Sequence, residues 1–259
     1  MKNYTLITGG ASGLGFDLSK EFALMNHNLF LVSSNQNNLD EAKRKLHEIN
    51  DKIGIRVLAV DLSDNRNFHI VKEFTDSNEM RINYLVNCAG FGDRCDFKDM
   101  DIDKQIRMVE LNCNCPMYLM NAYLPDMISQ NEGHILNIAS IAAFIPGPFM
   151  STYHATKAYL VNISEAIYRE LKGTNVHITT ICQGPFESGF VEKAHNDYTF
   201  KISKVLPSAK IAEISIKMMK KHKMTYIIGF NNRLLMFFTR FVTRKMIINT
   251  SAKKLKENV

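Results

Sequence analysis

The chain has 259 residues, which leaves room for one large α/β domain with one core and argues against two domains with separate cores. Apolar residues make up 46% and charged residues 22%, a balance that excludes a disordered polymer and predicts an ordinary globular protein. The formal charge of +6 comes from lysines and arginines spread along the sequence and denser toward its end, so nucleic acid is not an expected partner.

Five cysteines, an odd number without paired spacing, give no disulfide framework. Cys113-x-Cys115 lacks the second ligand pair of a zinc site, so no metal is expected and the setting reads as reducing and cytoplasmic. Residues 1–8 run into a strand pattern without an apolar leader or cleavage site, so no secretion signal is expected.

Short apolar runs at 4–8, 29–33, 55–60, 84–87, 134–139, 177–181 and 226–228 alternate with segments of helical length. Near-continuous apolar strands separated by helices predict a doubly wound, Rossmann-type parallel sheet covered on both faces. The first run leads into Thr8-Gly9-Gly10-Ala11-Ser12-Gly13-Leu14-Gly15 and then a helical pattern at Phe16, Leu18, Phe22, Ala23 and Met25. Glycines at a strand-to-helix turn let the backbone approach a pyrophosphate, whose charge is met by the amides and positive end of the helix. The second run ends Leu31-Val32-Ser33-Ser34-Asn35-Gln36 without a carboxylate. An acidic residue there would bind the ribose hydroxyls of NAD. Its absence, with Ser12, Ser34 and Asn35 as donors to a 2′-phosphate, favours NADP(H) and leaves NAD(H) open.

The third run is followed by Asp61 and Leu62, where the carboxylate suits either a helix cap or a ligand contact. The fourth ends in Asn87-Cys88-Ala89-Gly90, and the fifth ends at Ser140, the end of a parallel strand where ligand groups gather. Thirteen residues on, Tyr153 and Lys157 stand four apart at the start of a helical pattern running to Gly173, and so share one face. A phenol with a pKa of about 10 needs a neighbouring ammonium to exchange protons near neutrality, a task Lys157 is placed to perform. Residues 185–207 leave the regular alternation, as a lid, a binding loop or a plain surface insertion would.

The tail, 231–259, mixes Leu234, Leu235, Met236, Phe237, Phe238, Phe241, Val242, Met246, Ile247 and Ile248 with Arg233, Arg240, Arg244 and Lys245. It predicts a basic amphipathic helical extension beyond a 1–230 catalytic domain. The interruptions at Thr239, Arg240, Thr243, Arg244 and Lys245 prevent it from spanning a bilayer. Packing on its own domain or on a second subunit of a homo-oligomer is the favoured reading, ahead of peripheral contact with an anionic membrane.

Taken together, the motifs resemble those of the short-chain dehydrogenases/reductases of the classical type, over about residues 2–190. The family's T-G-x-x-x-G-x-G is matched by Thr8, Gly9, Gly13 and Gly15, and its N-N-A-G by Asn87, Ala89 and Gly90, with Cys88 replacing the second asparagine. Ser140, Tyr153 and Lys157 match the catalytic positions, and Asn112 matches the asparagine that helps hold a water beside the lysine. Asp61 resembles the acidic residue that meets the adenine ring. The family's P-G and following threonine become Gln183-Gly184-Pro185 and Ser188 here.

The resemblance implies an oxidoreductase moving hydride between NAD(P)(H) and a small-molecule carbonyl or alcohol, with Tyr153 as acid/base, Ser140 polarising the substrate oxygen and no metal required. The cofactor residues it implies are Thr8, Gly9, Ser12, Gly13, Leu14, Gly15, Ser34, Asn35, Asp61, Leu62, Asn87, Ala89, Gly90, Pro185 and Ser188, with Tyr153 and Lys157 shared. Phe91, Ile141, Phe144, Ile145, Phe149, Phe186 and Phe190 flank the catalytic segments and suggest a substrate with a sizeable apolar part. Competing readings are a non-catalytic nucleotide sensor on the same fold, a sugar-nucleotide epimerase, for which the chain is short, and a membrane-associated structural role resting on the tail alone.

Overall fold

The computed structural model describes residues 1–187 and 206–256. Seven parallel strands form one sheet: β1 (Lys2–Thr8), β2 (Asn28–Ser33), β3 (Ile55–Ala59), β4 (Met80–Asn87), β5 (Gly133–Ser140), β6 (Val176–Gln183) and, after the two short strands named below, β9 (Thr225–Ile227). Their spatial order is β3-β2-β1-β4-β5-β6-β9. The order reverses between β1 and β4, the place in an open parallel sheet where a crevice forms beyond the strand ends.

Alternation along the strands supplies both faces. In β1, Ile7 points into a core with Leu14, Leu18 and Phe22 of α1 (Gly13–Leu24), Leu39 and Leu46 of α2 (Gln36–Ile49), and Ile211 and Ile216 of α7 (Ser208–Lys220). Leu6, one residue earlier, points into the opposite core with Phe68 and Val71 of α3 (Phe68–Ser77) and Leu119, Tyr123 and Met127 of α5 (Cys115–Ser129). Phe22 and Phe30 are fully buried on opposite faces, and truncating either to alanine would cost about 3–5 kcal/mol.

Five strands match the expected runs with longer ends, whereas β3 stops at Ala59, one residue short, and β9 is shifted one residue earlier. β4 begins at Met80, four residues before the expected 84, because Arg81 and Asn83 interrupt the apolar run. Both side chains reach Glu132, at 3.4 and 3.2 Å. Between β4 and β5 the chain forms α4 (Ile102–Val109), a π-helical turn (Glu110–Asn114) and α5. β5 is followed by a 3-10 turn (Ile141–Phe144) and α6 (Ser151–Glu170). Of the 185–207 excursion, the described ends pair in parallel, β7 (Phe186–Glu187) with β8 (Leu206–Pro207).

The tail is two helices rather than one: α8 (Phe230–Phe238), a 3-10 turn (Thr239–Phe241) and α9 (Arg244–Lys256). The break falls where Val242 takes an extended conformation. The Thr243 hydroxyl then accepts from Met246 N at 3.4 Å, capping the new helix.

At the sheet end opposite the crevice, His134 is buried between its strand neighbours, its Nε2 3.0 Å from Thr179 Oγ1 and its ring centroid 5.7 and 5.6 Å from those of His177 and His222. Burial, then the neighbouring imidazoles, push its pKa down to about 3. A free imidazole at 6.5 takes up its proton first on acidification, so this group's stability contribution is complete above 6.5 and declines as pH falls toward 3. We expect urea-unfolding free energy to decline between about pH 6.5 and about pH 5 by up to about 1.4 kcal/mol per pH unit from this group. His134→Gln should flatten that slope; an unchanged slope would remove His134 as its source.

Candidate active site

A cavity of about 1310 Å³ runs along the carboxyl ends of β1, β2, β4, β5 and β6. Pockets for drug-sized ligands rarely exceed about 1,000 Å³, so the space suits a dinucleotide together with a second molecule. Its first wall is the glycine turn, Gly9, Ser12, Gly13, Leu14 and Gly15. Gly9 and Gly13 have φ of +68° and +51°, and a Cβ on Gly15 would stand 2.1 Å from Gly9 O. Side chains are therefore excluded where α1 meets β1. Ser12 makes no side-chain cap and the first turn of α1 holds no acidic residue, so its amide donors face the cavity uncompensated.

Thr8 is not in the wall. Its Oγ1 accepts from Cys88 N at 3.2 Å and Ala89 N at 3.1 Å, tying β1 to the segment after β4 and holding Ala89 and Gly90 at the cavity edge. Asn87 is likewise internal, donating to Asn137 Oδ1 at 2.8 Å across the sheet. Ser33, Ser34 and Asn38 line the cavity beyond β2, whereas the Asn35 side chain caps α2 by accepting from Asn38 N at 3.0 Å. Asp61 and Leu62 line the adjacent wall. The Asp61 carboxylate serves two ends, accepting from Ser63 N at 2.9 Å and pairing with Arg107 of α4 at 2.6 Å.

The four expected catalytic residues converge from three elements. Ser140 ends β5, and its Oγ accepts from Ala142 N at 3.1 Å, which opens the 3-10 turn. The same hydroxyl hydrogen-bonds the Tyr153 side chain. One turn along α6, the Lys157 Nζ lies 5.8 Å from the Tyr153 ring centroid and donates to Ile138 O at 3.0 Å. Asn112 sits in the π-helical turn, exchanging hydrogen bonds with Phe91 N and O at 3.2 and 2.9 Å and donating to Thr156 Oγ1 at 3.1 Å. A Cβ on Gly90 would be 2.9 Å from Asn112 Oδ1 and 3.6 Å from Lys157 Nζ, so Gly90 is the gap through which these groups meet.

The electrostatics differ from the simple expectation that Lys157 lowers the phenol. Burial pushes Tyr153 up to about 12, opposed by its bond to Ser140. Burial also lowers Lys157, which weakens the cation meant to act on the phenol. The thiols of Cys88, Cys113 and Cys182 surround that lysine and are themselves raised, by burial first, to about 12, 11 and 12, so they stay neutral and offer it no counter-ion.

Several wall residues escaped sequence reasoning. Arg107 comes from a helix 46 residues beyond Asp61, and no local motif marks it. Gln183, where the family pattern has proline, ends β6 buried at 6% exposure, with Oε1 lacking a hydrogen-bond partner among the described residues. The far wall is the tail: Met236 and Phe238 of α8, Val242, and Met246, Ile247 and Leu255 of α9. Arg94, buried and without a carboxylate partner among the described residues, donates to Leu255 O and pins the end of α9.

Of the expected substrate-side residues, Phe91, Ile141 and Ile145 line the cavity. Phe144 instead packs with Leu160 and Val161, and Phe149 is at a turn with φ of +66°. Pro185 is in the wall. Ser188 and Phe190 lie outside the described residues, as does the Phe186 side chain.

This geometry can be set beside known proteins. The sequence profile of the short chain dehydrogenase family matches residues 3–199. An uncharacterized oxidoreductase of Staphylococcus saprophyticus is 28% identical over 211 residues, 82% of this chain and 88% of that one. A very-long-chain 3-oxoacyl-CoA reductase of Phaeosphaeria nodorum is 30% identical over 183 residues, 69% of this chain and 53% of its own length, so the chain spans about half of that relative. The fold superposes on a short-chain dehydrogenase from Sphingobium yanoikuyae in complex with NADPH, with a TM-score of 0.82 at 23% identity over 93% of this chain and 94% of that one. The chain belongs to the short-chain dehydrogenase family of NAD(P)-dependent oxidoreductases, which interconvert alcohol and carbonyl carbons.

Proposed function

We propose that the protein is an NADP(H)-preferring oxidoreductase of an apolar carbonyl or alcohol, working in a reducing, cytoplasmic compartment that suits its five unpaired cysteines. The observation that carries this reading is the convergence of Ser140, Tyr153, Lys157 and Asn112 at one end of a cavity whose other end is a glycine turn closed to side chains. A nicotinamide dinucleotide fits that space: the bare amides of α1 suit the pyrophosphate, and the buried, unsatisfied Oε1 of Gln183 offers an acceptor to a ligand donor. Bound there, it supplies the hydride chemistry.

The chain's own groups supply positioning and the proton. The Ser140 hydroxyl polarises the substrate oxygen and orients the Tyr153 phenol, which gives up its proton in reduction and takes one in oxidation. Lys157, held by Ile138 O, stabilises the phenolate left behind, and Asn112 holds the strand-end segment at Phe91 that frames this corner.

Two features support NADP(H). Ser33, Ser34 and Asn38 line the cavity beyond β2 with no carboxylate among them, and the nearby Asp61 charge is already paired with Arg107. The apolar substrate is supported by walls of Phe91, Ile141, Ile145, Met236, Phe238 and Met246, and the relative named for very-long-chain 3-oxoacyl-CoA points the same way.

Tyr153→Phe should lower turnover by about 10²–10⁴-fold while fluorescence titration with NADPH stays close to the wild type. Retained turnover would refute the acid/base role. In the same titration Ser34→Asp should weaken NADPH by about tenfold or more, a carboxylate against phosphate being worth at least about 1.4 kcal/mol, and should spare NADH. Equal effects on both nucleotides would contradict the 2′-phosphate reading. Among matched aliphatic ketones the long members should show the higher kcat/KM, and a preference for short polar ketones would rule out an apolar substrate.

A further inference from the structure

The two tail helices have two apolar sides, and only one is accounted for. Met236, Val242, Met246 and Ile247 face the cavity. On the outer side Phe230, Phe237 and Phe241 are 69%, 51% and 73% exposed, and none of the three borders the cavity. Spaced i, i+7 and i+11, they fall on one side of the helical path, and the Phe237 and Phe241 rings meet at 5.4 Å. Leu234, four residues after Phe230 and three before Phe237, is 44% exposed and continues the strip along α8.

Charge gives the partner. Residues 230–256 contain seven lysines and arginines and no aspartate or glutamate, while the rest of the chain carries 25 basic and 26 acidic residues. The whole positive excess of the protein therefore sits on this segment. Arg233, Arg240, Arg244 and Lys245 are exposed beside the phenylalanines, and none of them forms an ion pair among the described residues. Aromatic side chains flanked by unpaired cations match the two layers of an anionic bilayer surface: rings at the acyl boundary and cations at the headgroups. Among the described residues no helix is long and apolar enough to cross a membrane, so the contact lies in the plane of the surface.

We propose that the outer face of α8, the Thr239–Phe241 turn and the start of α9 docks on an anionic lipid surface, so that the helices walling the active-site cavity lie on the membrane. The same helices then form the cavity wall and the lipid contact, and an apolar substrate dissolved in the bilayer is delivered close to the site that uses it. The delivery step rests on the function proposed above; the docking itself does not.

The test is flotation of the full-length protein with phosphatidylcholine vesicles, with and without phosphatidylglycerol. The protein should float with the anionic vesicles, remain behind with phosphatidylcholine alone, and lose flotation in high salt. Phe237→Ser with Phe241→Ser, and separately Arg240→Glu with Arg244→Glu, should each lower the floated fraction about tenfold, with thermal unfolding showing that both variants are folded. Wild-type protein that stays behind with anionic vesicles overturns the proposal, as does a serine variant that floats like the wild type. A wild-type dimer that the serine variant converts to monomer, with no flotation, assigns the face to a second copy of the chain instead. Flotation needs no turnover, so its failure leaves the oxidoreductase reading standing, and failure of Tyr153→Phe to lose activity leaves docking standing.

Discussion

The contact between Gly15 and Gly9 is the constraint from which the functional end of the molecule is built. With 2.1 Å between Gly9 O and the place of a Gly15 Cβ, α1 starts closer to β1 than any side chain would permit. That closeness brings the helix amides to the mouth of the sheet, where strand order reverses and a crevice is left. Thr8 extends the constraint sideways. Its hydroxyl holds the backbone after β4, so Ala89 and Gly90 line the same crevice, and Gly90 leaves room for Asn112 and Lys157 to approach one another. Local backbone geometry in three turns thus sets the distances among side chains that lie as much as 149 residues apart, from Thr8 to Lys157.

Much of this was legible in the sequence because the relevant signals are local. Glycines at a strand-to-helix turn, a tyrosine and lysine one helical turn apart, and apolar runs of strand length all report on neighbours in the chain. What stayed hidden depends on tertiary partners. Arg81 and Asn83 obscured the start of β4, since nothing local shows that Glu132 receives them. Arg107 meets Asp61 and Ser63 only in the folded chain, where α4 stands beside the segment after β3, and the end of α9 is held at Arg94, 161 residues earlier in the chain. Thr8 and Asn87 carry the family pattern and Asn35 reads from the sequence as a donor to a 2′-phosphate, yet all three side chains brace the structure around the cavity rather than line it. A motif position therefore marks a structural requirement before it marks a ligand contact.

The two-helix tail changes what the apolar stripe of the sequence means. As one continuous helix it would offer one apolar face, satisfied by packing. The extended Val242 and the Thr243 cap turn the chain between α8 and α9, so that apolar residues face both inward and outward. Arg94 then matters beyond its single bond. A buried guanidinium is costly without partners, and the carbonyl of Leu255 is the partner that the closed tail provides. The position of the tail and the solvation of that cation are coupled, and the cavity wall depends on both.

Burial acts on the proposed proton-transfer pair in one consistent direction. It disfavours charge on both groups, raising Tyr153 toward 12 and lowering Lys157, so the resting phenol holds its proton. A phenol that holds its proton is prepared to donate to a developing alkoxide, which is the demand of carbonyl reduction. Oxidation asks for the phenolate, and the site must first be supplied with charge that stabilises it. The three thiols around Lys157 are themselves held neutral by burial, so they supply the lysine with no full counter-charge that would reverse this bias. Cys88, standing where the family pattern has its second asparagine, thus borders both the cavity and the lysine as a neutral group, and the phenol beside them rests in the form that donates a proton.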